Sequence, residues 1–221
     1  MNENPFVFKI ASEDWEFEQI HKLNYATFVE EIPQHSQNDD HKLIDKFHRE
    51  NNYLICLQGR HLEGMIALRD KRPFSLDKKV PDLDKHLPKD RKIVEIRLLS
   101  VQRSWRNGQV FLGLLKLLNE FSKEKGYDLG IISGTTRQLK LYQSLGFQPF
   151  GPLVGEGDAQ FQPMQITLES FNEHVGALLK ADLENSKHLP AESFLPGPVA
   201  ISAEVREALN QPAVSHRSAS F

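Results

Sequence analysis

The chain has 221 residues, 39% of them hydrophobic, which is enough to bury one sizeable core with an appendage but not two full domains. Its 27 basic and 30 acidic residues give a net charge of −3 and form no basic stripe or tail, so a nucleic-acid partner is not expected. One cysteine, Cys56, excludes an internal disulfide, and neither a signal peptide nor an apolar run of bilayer length is present, so we expect a cytoplasmic protein with no membrane partner.

The opening third of the chain alternates between strand and helix patterns. Residues 6–11 alternate as a strand, Ser12 can cap a following helix, and a second helix is predicted over residues 41–49. A hairpin of residues 53–57 and 64–68 comes next, with Cys56 packed inside its first strand. The nine histidines show no metal-ligand spacing, so we expect no metal.

Residues 72–92 form a long, charge-rich connection with three prolines, which argue against regular structure. Apolar residues nevertheless recur inside it, at Phe74, Leu76, Val80, Leu83 and Leu87. A connection of this length in a compact domain is usually functional or disordered, and its apolar content predicts a docked loop.

Branched residues over 92–101 predict a central strand. Glu95 lies in the middle of it, where a carboxylate is costly unless it is paired or catalytic. Strand alternation predicts that Glu95 shares a face with Arg97, Leu99 and Val101. The residues leave two readings open: a general base, or a structural ion pair with Arg97 or a neighbour.

A turn with one glycine, Gly108, precedes a helix whose apolar side chains follow helical spacing up to Gly126. The N–H groups of a helix N-terminus bind anions, and Arg103 and Arg106 would add positive charge. The turn is therefore a candidate phosphate site, although an Arg-Asn-Gly sequence alone more often simply begins a helix.

A second strand over 129–133 leads into another helix. Thr135 can cap that helix with Gln138 closing a capping box, and Gly146 can end it in the left-handed conformation. Tyr142 lies on this helix. A phenol there can be a half-buried packing residue or a proton donor.

The order strand, Arg/Gly turn, helix, strand and helix over 92–151, with "LYQSLGF" at residues 141–147, closely resembles the cofactor-binding core of the GNAT superfamily of N-acyltransferases. Residues 23–31, "LNYATFVEE", resemble the opening of the branch that contains acyl-homoserine-lactone synthases and long-chain N-acyl amino acid synthases. The resemblance implies an α/β GNAT fold, in which a mixed central sheet is flanked by helices.

The resemblance also implies roles for individual residues. Tyr142 would protonate the leaving thiolate, and Glu95 would activate the amine or orient the acceptor. The remaining positions divide between a cofactor set and an acceptor set: Leu99, Ser100, Val101, Arg103, Arg106, Asn107, Gly108, Gln109 and Val110 for the cofactor, and Glu30, Glu31 and Arg97 for the acceptor. For Glu30 and Glu31 the other reading is a solvated helix end.

Two departures from the family pattern affect these assignments. The usual turn is Arg-Gly-x-Gly-x-Gly/Ala, whereas this chain has one glycine, and the Glu-x-x-Arg pattern of the branch becomes Glu95-Ile96-Arg97. The donor is therefore left open between acetyl-CoA, another acyl-CoA and an acyl carrier protein. The acceptor is expected to be the amine of a small molecule.

Residues 194–209 and 215–221 resemble the opening of class V aminotransferases, "PGPVxVxxEVxEAL…HRSxxF". A pyridoxal-phosphate enzyme needs a lysine for the Schiff base and several hundred residues to build its fold, and residues 194–221 supply neither. We therefore expect a GNAT domain over 1–171, a helical connector over 172–187, and a truncated aminotransferase-like segment over 188–221 of a longer fusion. Exposed apolar residues in that tail would favour a homodimer that exchanges tails.

The sequence thus predicts an enzyme, an N-acyltransferase that moves an acyl group, expected to be acetyl, from acyl-CoA to a small amine. The alternative is a non-catalytic module that binds CoA or a partner domain and regulates an aminotransferase. Retention of Glu95 and Tyr142 favours the enzyme, and the single-glycine turn favours the module.

Overall fold

The computed structural model describes residues 5–32, 35–106, 108–155 and 160–187. The aminotransferase-like segment over 188–221 lies outside the described residues, so the expected exchange of tails stays a prediction. Asn107 of the predicted phosphate turn also lies outside them. No helix in the described ranges combines the length and the apolar character needed to cross a membrane.

The described strands form one mixed sheet. They are β1 (Phe6–Ile10), β2 (Asn52–Gln58), β3 (His61–Arg69), β4 (Ile93–Val101), β5 (Leu129–Thr135), β6 (Gln148–Pro149) and β7 (Phe161–Thr167). The sheet order is β1-β2-β3-β4-β5-β7-β6, and neighbours are antiparallel except β4 and β5, which run parallel. The predicted β2–β3 hairpin is confirmed, with Cys56 buried in β2.

Helices cover both faces of the sheet. They are α1 (Asp14–Tyr25), continued by a π-helical turn (Ala26–Glu31), then α2 (Gln109–Lys125), α3 (Leu139–Ser144) and α4 (Leu168–Lys187). On one face α2 and α4 pack over a core that includes Leu54, Ile66, Val94, Leu114, Leu118 and Phe171. On the other face α1 packs over Tyr53, Ile55, Met65 and Ala67. Because both faces are covered, the inner strands read as nearly continuous apolar runs.

The connection over 72–92 docks on the sheet, as predicted. Its apolar side chains are buried against Leu129 and Ile131 of β5, on the same face as α1. Regular structure inside it is limited to two short 3-10 turns, Ser75–Lys78 and Leu83–Lys85. The docked loop therefore covers β5 on the same face of the sheet that α1 covers.

Two local predictions near the N-terminus are wrong. Residues 41–49 do not form an α-helix: His41 has φ 48°, and the Asp45 carboxylate accepts a hydrogen bond from the Phe47 N–H at 2.8 Å, which favours a turn. The cap of α1 is Glu13 rather than Ser12, because the buried Glu16 carboxylate accepts the N–H groups of both residues.

β4 does not alternate along its whole length. Its register against β3 shifts so that Leu98 and Leu99 together oppose one residue of β3, and Leu98 adopts φ 51°. This bulge reverses the faces beyond it. Glu95 and Arg97 share a face as predicted, but Leu99 and Val101 pack in the α2 core on the other face.

Candidate active site

An opening lies between the carboxyl ends of β4 and β5. The two strands pair only as far as Glu95 and Ile131, yet β4 continues to Val101 and β5 to Thr135. α2 begins shortly after β4, and α3 begins shortly after β5. Ligands of α/β sheets bind at such openings beyond the carboxyl ends of parallel strands.

Tyr142 lies at this edge, and its ring packs against Gly134 of β5. A Cβ added to Gly134 would lie 2.8 Å from Cδ2 of Tyr142 and 2.9 Å from Cε2, so the absence of a side chain at Gly134 makes room for the ring. Burial raises the pKa of Tyr142, and hydrogen bonding to Thr135 opposes this only in part. The phenol therefore keeps its proton at neutral pH and can donate it.

The predicted helix around Tyr142 is modified in detail. Thr135 precedes a 3-10 turn, Thr136–Gln138, that leads into α3, and Gly146 takes φ 92° after it. The Thr135 side chain makes no capping hydrogen bond, and it interacts with the Tyr142 hydroxyl instead.

Glu95 is fully buried, and both of its oxygens are engaged. Oε1 accepts from the Ser75 hydroxyl at 2.6 Å and the Leu76 N–H at 3.1 Å, while Oε2 accepts from the Ser75 N–H at 2.8 Å. The Nε of Arg97 lies 3.6 Å from Oε2. The carboxylate thus fastens the docked loop to β4, and a direct role as base would require one of these bonds to open.

Arg97 joins Glu95 to a buried charge network that the sequence did not predict. Asp45 lies 2.8 Å from Arg97, and the Phe47 ring stacks on the guanidinium groups of both Arg97 and Arg69, at 4.8 and 3.8 Å. Arg69 is 1% exposed, donates to the Pro73 carbonyl at 2.7 Å and lies 3.1 Å from Glu50. Arg69, a charged residue at the end of the apolar strand β3, was the sequence signal that could have revealed this network.

The two arginines of the predicted phosphate turn contact a carboxylate of the chain itself. Glu31 lies 3.0 Å from Arg103 and 2.8 Å from Arg106, and Arg106 also donates to the Val101 carbonyl at 3.0 Å. Glu31 therefore lies at the turn rather than beside Arg97. Glu30 is exposed, 3.6 Å from the His41 ring.

Gly108 is the N-cap of α2, with φ 115°, a conformation that glycine adopts without strain. Its carbonyl accepts the Leu112 N–H, so the N–H groups of the first turn, including those of Gln109 and Val110, have no intrahelical partner. Val110 is buried against Gly64 of β3. The backbone of Leu99, Ser100 and Val101 borders the opening, because β5 no longer pairs with β4 there.

Residues 23–116 match the family model for the acetyltransferase (GNAT) domain. A CoA-dependent acyl-homoserine lactone synthase, BjaI, solved with MTA, has a similar fold, with a TM-score of 0.62 and 22% identity over 78% of this chain and 90% of that one. Over residues 23–116 the chain is thus similar to the GNAT superfamily, and its fold is the GNAT fold.

Further solved structures share this GNAT fold. FeeM, an N-acyl amino acid synthase from uncultured soil microbes, has a TM-score of 0.59 and 16% identity over 77% of this chain and 94% of that one. A putative N-acetyltransferase from Lactobacillus plantarum has a TM-score of 0.56 and 17% identity over 75% and 99% of the two chains. No curated protein sequence matches the chain. The expected fold class, a mixed α/β GNAT sheet flanked by helices, is confirmed, and the match to the acetyltransferase domain model supports the expected N-acyltransferase enzyme.

The GNAT fold places the predicted residues in two groups, one on each face of the sheet. Tyr142 and the Val110 end of α2 lie on the α2 face, whereas Glu95 and Arg97 lie on the face of α1 and the docked loop. In the described part of the domain, no group of three or more His, Cys, Asp or Glu side chains is arranged to hold a metal ion.

Proposed function

We propose that the protein transfers an acyl group, acetyl in the first instance, from acyl-CoA to the amine of a small molecule. The observation that carries the proposal is the position of the Tyr142 phenol, against Gly134 at the open carboxyl ends of β4 and β5. One similar structure, 25% identical over 72% of this chain with a TM-score of 0.59, is a CoA-dependent synthase solved with SAM and isopentyl-CoA. This supports a CoA thioester as the donor.

In the proposed reaction the donor enters from the α2 face. Its phosphates would bind the N-terminal turn of α2 with Arg103 and Arg106, and its pantetheine would pair with the backbone of β4 at 99–101. The acceptor amine, deprotonated, attacks the thioester carbonyl carbon from the opposite face. As the new C–N bond forms and the C–S bond breaks, the amine nitrogen loses one proton to water and Tyr142 gives its proton to the leaving sulfur. Tyr142 then regains a proton from water.

Glu95 is proposed to act on the acceptor side. Its three hydrogen bonds to Ser75 and Leu76 keep the docked loop closed over that face, so its first effect is to shape the acceptor site. Direct proton removal from the amine by Glu95 is the second candidate role, and the Glu95 variants described in the Discussion separate the two.

The test is thiol release from acetyl-CoA and from a long-chain acyl-CoA, each with a panel of small amines. Donor binding is followed separately by melting temperature, because a ligand that binds only the folded state stabilises it by about 2.7 kcal/mol at a hundred times its Kd. If neither thioester shifts the transition at millimolar concentration, free CoA thioesters are the wrong donors. An acylated carrier protein is then the next donor to test.

Replacing Arg106 with glutamate should abolish the shift in melting temperature that CoA causes, since it reverses the charge where phosphate would bind and removes the bond to the Val101 carbonyl. The quantity compared is the shift caused by ligand, not the melting temperature itself. Arg91, which lies 3.6 Å from Asp128 before β4, provides the control: Arg91→Glu should leave the shift intact. An undiminished shift in Arg106→Glu would remove this arginine from the phosphate site.

The second candidate function is a non-catalytic module that binds CoA or a partner domain. It is favoured by one observation, the pairing of both turn arginines with Glu31, which offsets part of the positive charge that a donor phosphate would use. A module of this kind would bind CoA or a partner without releasing thiol in the presence of any amine.

Glu31→Gln should tighten CoA binding by about 3- to 10-fold, because it removes a negative charge worth about 1 kcal/mol from the phosphate turn. Isothermal titration with CoA measures the change. Glu30→Gln is the matched control, since its carboxylate lies near His41 rather than the arginines, and it should change the affinity less than twofold. Weaker binding in Glu31→Gln would mean that this carboxylate holds the arginines in position for the donor.

A further inference from the structure

Lys79 lies at the acceptor face, on the docked loop, in a position that its surroundings fix. The N–H groups of Lys79 and Val80 both donate to the Leu76 carbonyl, at 2.9 and 2.8 Å, and the flanking side chains of Leu76 and Val80 are buried. The ammonium group donates to the Ser133 hydroxyl at 2.8 Å and lies 4.1 Å above the Phe161 ring. The side chain is thus held across the end of β5.

Ser133 marks the place where β5 has separated from β4. It lies two residues after Ile131, the last residue of β5 paired with β4. Because strand side chains alternate, Ser133 shares the face of Ile131 under the docked loop. The next residue, Gly134, supports the Tyr142 ring on the opposite face. Lys79 and Tyr142 therefore approach the same strand end from opposite sides, the first from the acceptor face and the second from the donor face.

The Lys79 ammonium group lies near charges of both signs but is not paired with any of them. In the described part of the chain no carboxylate lies within 4.0 Å of its ammonium group, whereas Arg97 is neutralised by Asp45 at 2.8 Å. Burial is the main cause that holds the pKa of Lys79 below its usual range. The charge of Glu95 opposes this shift, and the charges of Arg97 and Lys46 add to it. An anion bound at Nζ would offset this unfavourable environment.

We propose that Lys79 determines acceptor specificity by binding an acidic group, a carboxylate, that the acyl acceptor carries beside its amine. The Ser133 hydroxyl, now accepting from Lys79, can turn to donate a second hydrogen bond to the same carboxylate. The inference rests on the proposed acyl transfer and adds to it the class of amine: a small amino acid or related amino-carboxylate rather than a neutral or basic amine.

The experiment compares an amino-carboxylate acceptor with its own carboxamide in wild type, Lys79→Met and Lys79→Arg. Methionine keeps the apolar stem beside Phe161 and removes the charge. Lys79→Met should lower kcat/KM for the carboxylate about 10- to 100-fold, chiefly through KM, as expected for the loss of one charge-assisted hydrogen bond. The kcat/KM for the carboxamide should change about threefold or less. Lys79→Arg should restore most of the preference for the carboxylate over the carboxamide.

Lys78→Met, an exposed lysine beside it on the same loop, is the matched control and should keep the wild-type preference. Equal losses for the carboxylate and the carboxamide in Lys79→Met would overturn the inference. So would a loss confined to kcat.

A binding measurement separates failure of this inference from failure of the proposed function. Amino-carboxylates should raise the melting temperature of the wild type, and Lys79→Met should lose this shift, whether or not any thiol is released. A lysine-dependent shift without turnover supports the anion site while contradicting acyl transfer. Turnover of amines without any carboxylate preference supports acyl transfer while overturning the role of Lys79.

Discussion

Replacing Tyr142 with phenylalanine should lower kcat by about 10²- to 10⁴-fold while donor affinity changes little, because only the proton donor is removed. The ring would keep its contact with Gly134, so the fold around α3 should persist. Since burial raises the pKa of Tyr142, the wild-type rate should not fall through loss of this proton anywhere near neutral pH. Steady-state kinetics with the best acyl-CoA, at several pH values, measure both effects.

A second phenol provides the control for that experiment. Tyr127 donates to Asp70 at 2.7 Å and lies before β5, at the amino end of the strand rather than at the opening. Tyr127→Phe should therefore lower stability without lowering kcat more than about twofold. If Tyr142→Phe keeps wild-type turnover and only melts earlier, Tyr142 is a packing residue.

Replacing Glu95 with alanine should lower the free energy of unfolding by about 3–5 kcal/mol, because it leaves Arg97 and the N–H groups of the docked loop without their buried carboxylate. Glu95→Gln keeps the side-chain volume but replaces one acceptor oxygen with an NH₂ group that faces backbone N–H groups. It should therefore lower the free energy of unfolding by about 1–3 kcal/mol. Denaturant unfolding measures both losses. Glu120→Ala, an exposed carboxylate on α2, should change stability by less than about 0.5 kcal/mol.

The kinetics of Glu95→Gln, at a temperature where the variant remains folded, separate its two proposed roles. If Glu95 removes the amine proton, kcat falls about 10²- to 10⁴-fold and the acid limb of the pH profile disappears. If Glu95 only holds the loop, KM for the acceptor rises and the pH profile keeps its shape. Stability unaffected by Glu95→Ala would contradict the loop-holding role.

The bulge in β4 shows why the strand pattern could predict one half of the site and not the other. Alternation correctly predicted that Glu95 and Arg97 share a face, because their part of the strand is regular. Beyond them the register slip against β3 turns Leu99 and Val101 towards α2. The slip includes a leucine with φ 51°, a conformation that neither strand propensity nor apolar spacing signals.

The sequence by itself determined the features that depend on near neighbours. The order of β4, α2, β5 and α3, and Gly108 and Gly146 at helix ends, followed from spacing and from backbone freedom over a few residues. The burial of the loop over 72–92 followed from apolar content. Such features are encoded locally because hydrophobic periodicity and turn chemistry act within a few positions of the chain.

Only the tertiary structure decided which charged groups meet. Arg103 pairs with Glu31 across 72 positions, Lys79 reaches Ser133 across 54, and Arg97 bonds Asp45 across 52. The residue types alone were compatible with Glu31 at the acceptor and with Asp45 inside the helix predicted over residues 41–49. Their partners depend on how the sheet, the end of α1 and the docked loop pack together, since a charge buried by packing must find its counter-charge wherever the fold brings one near.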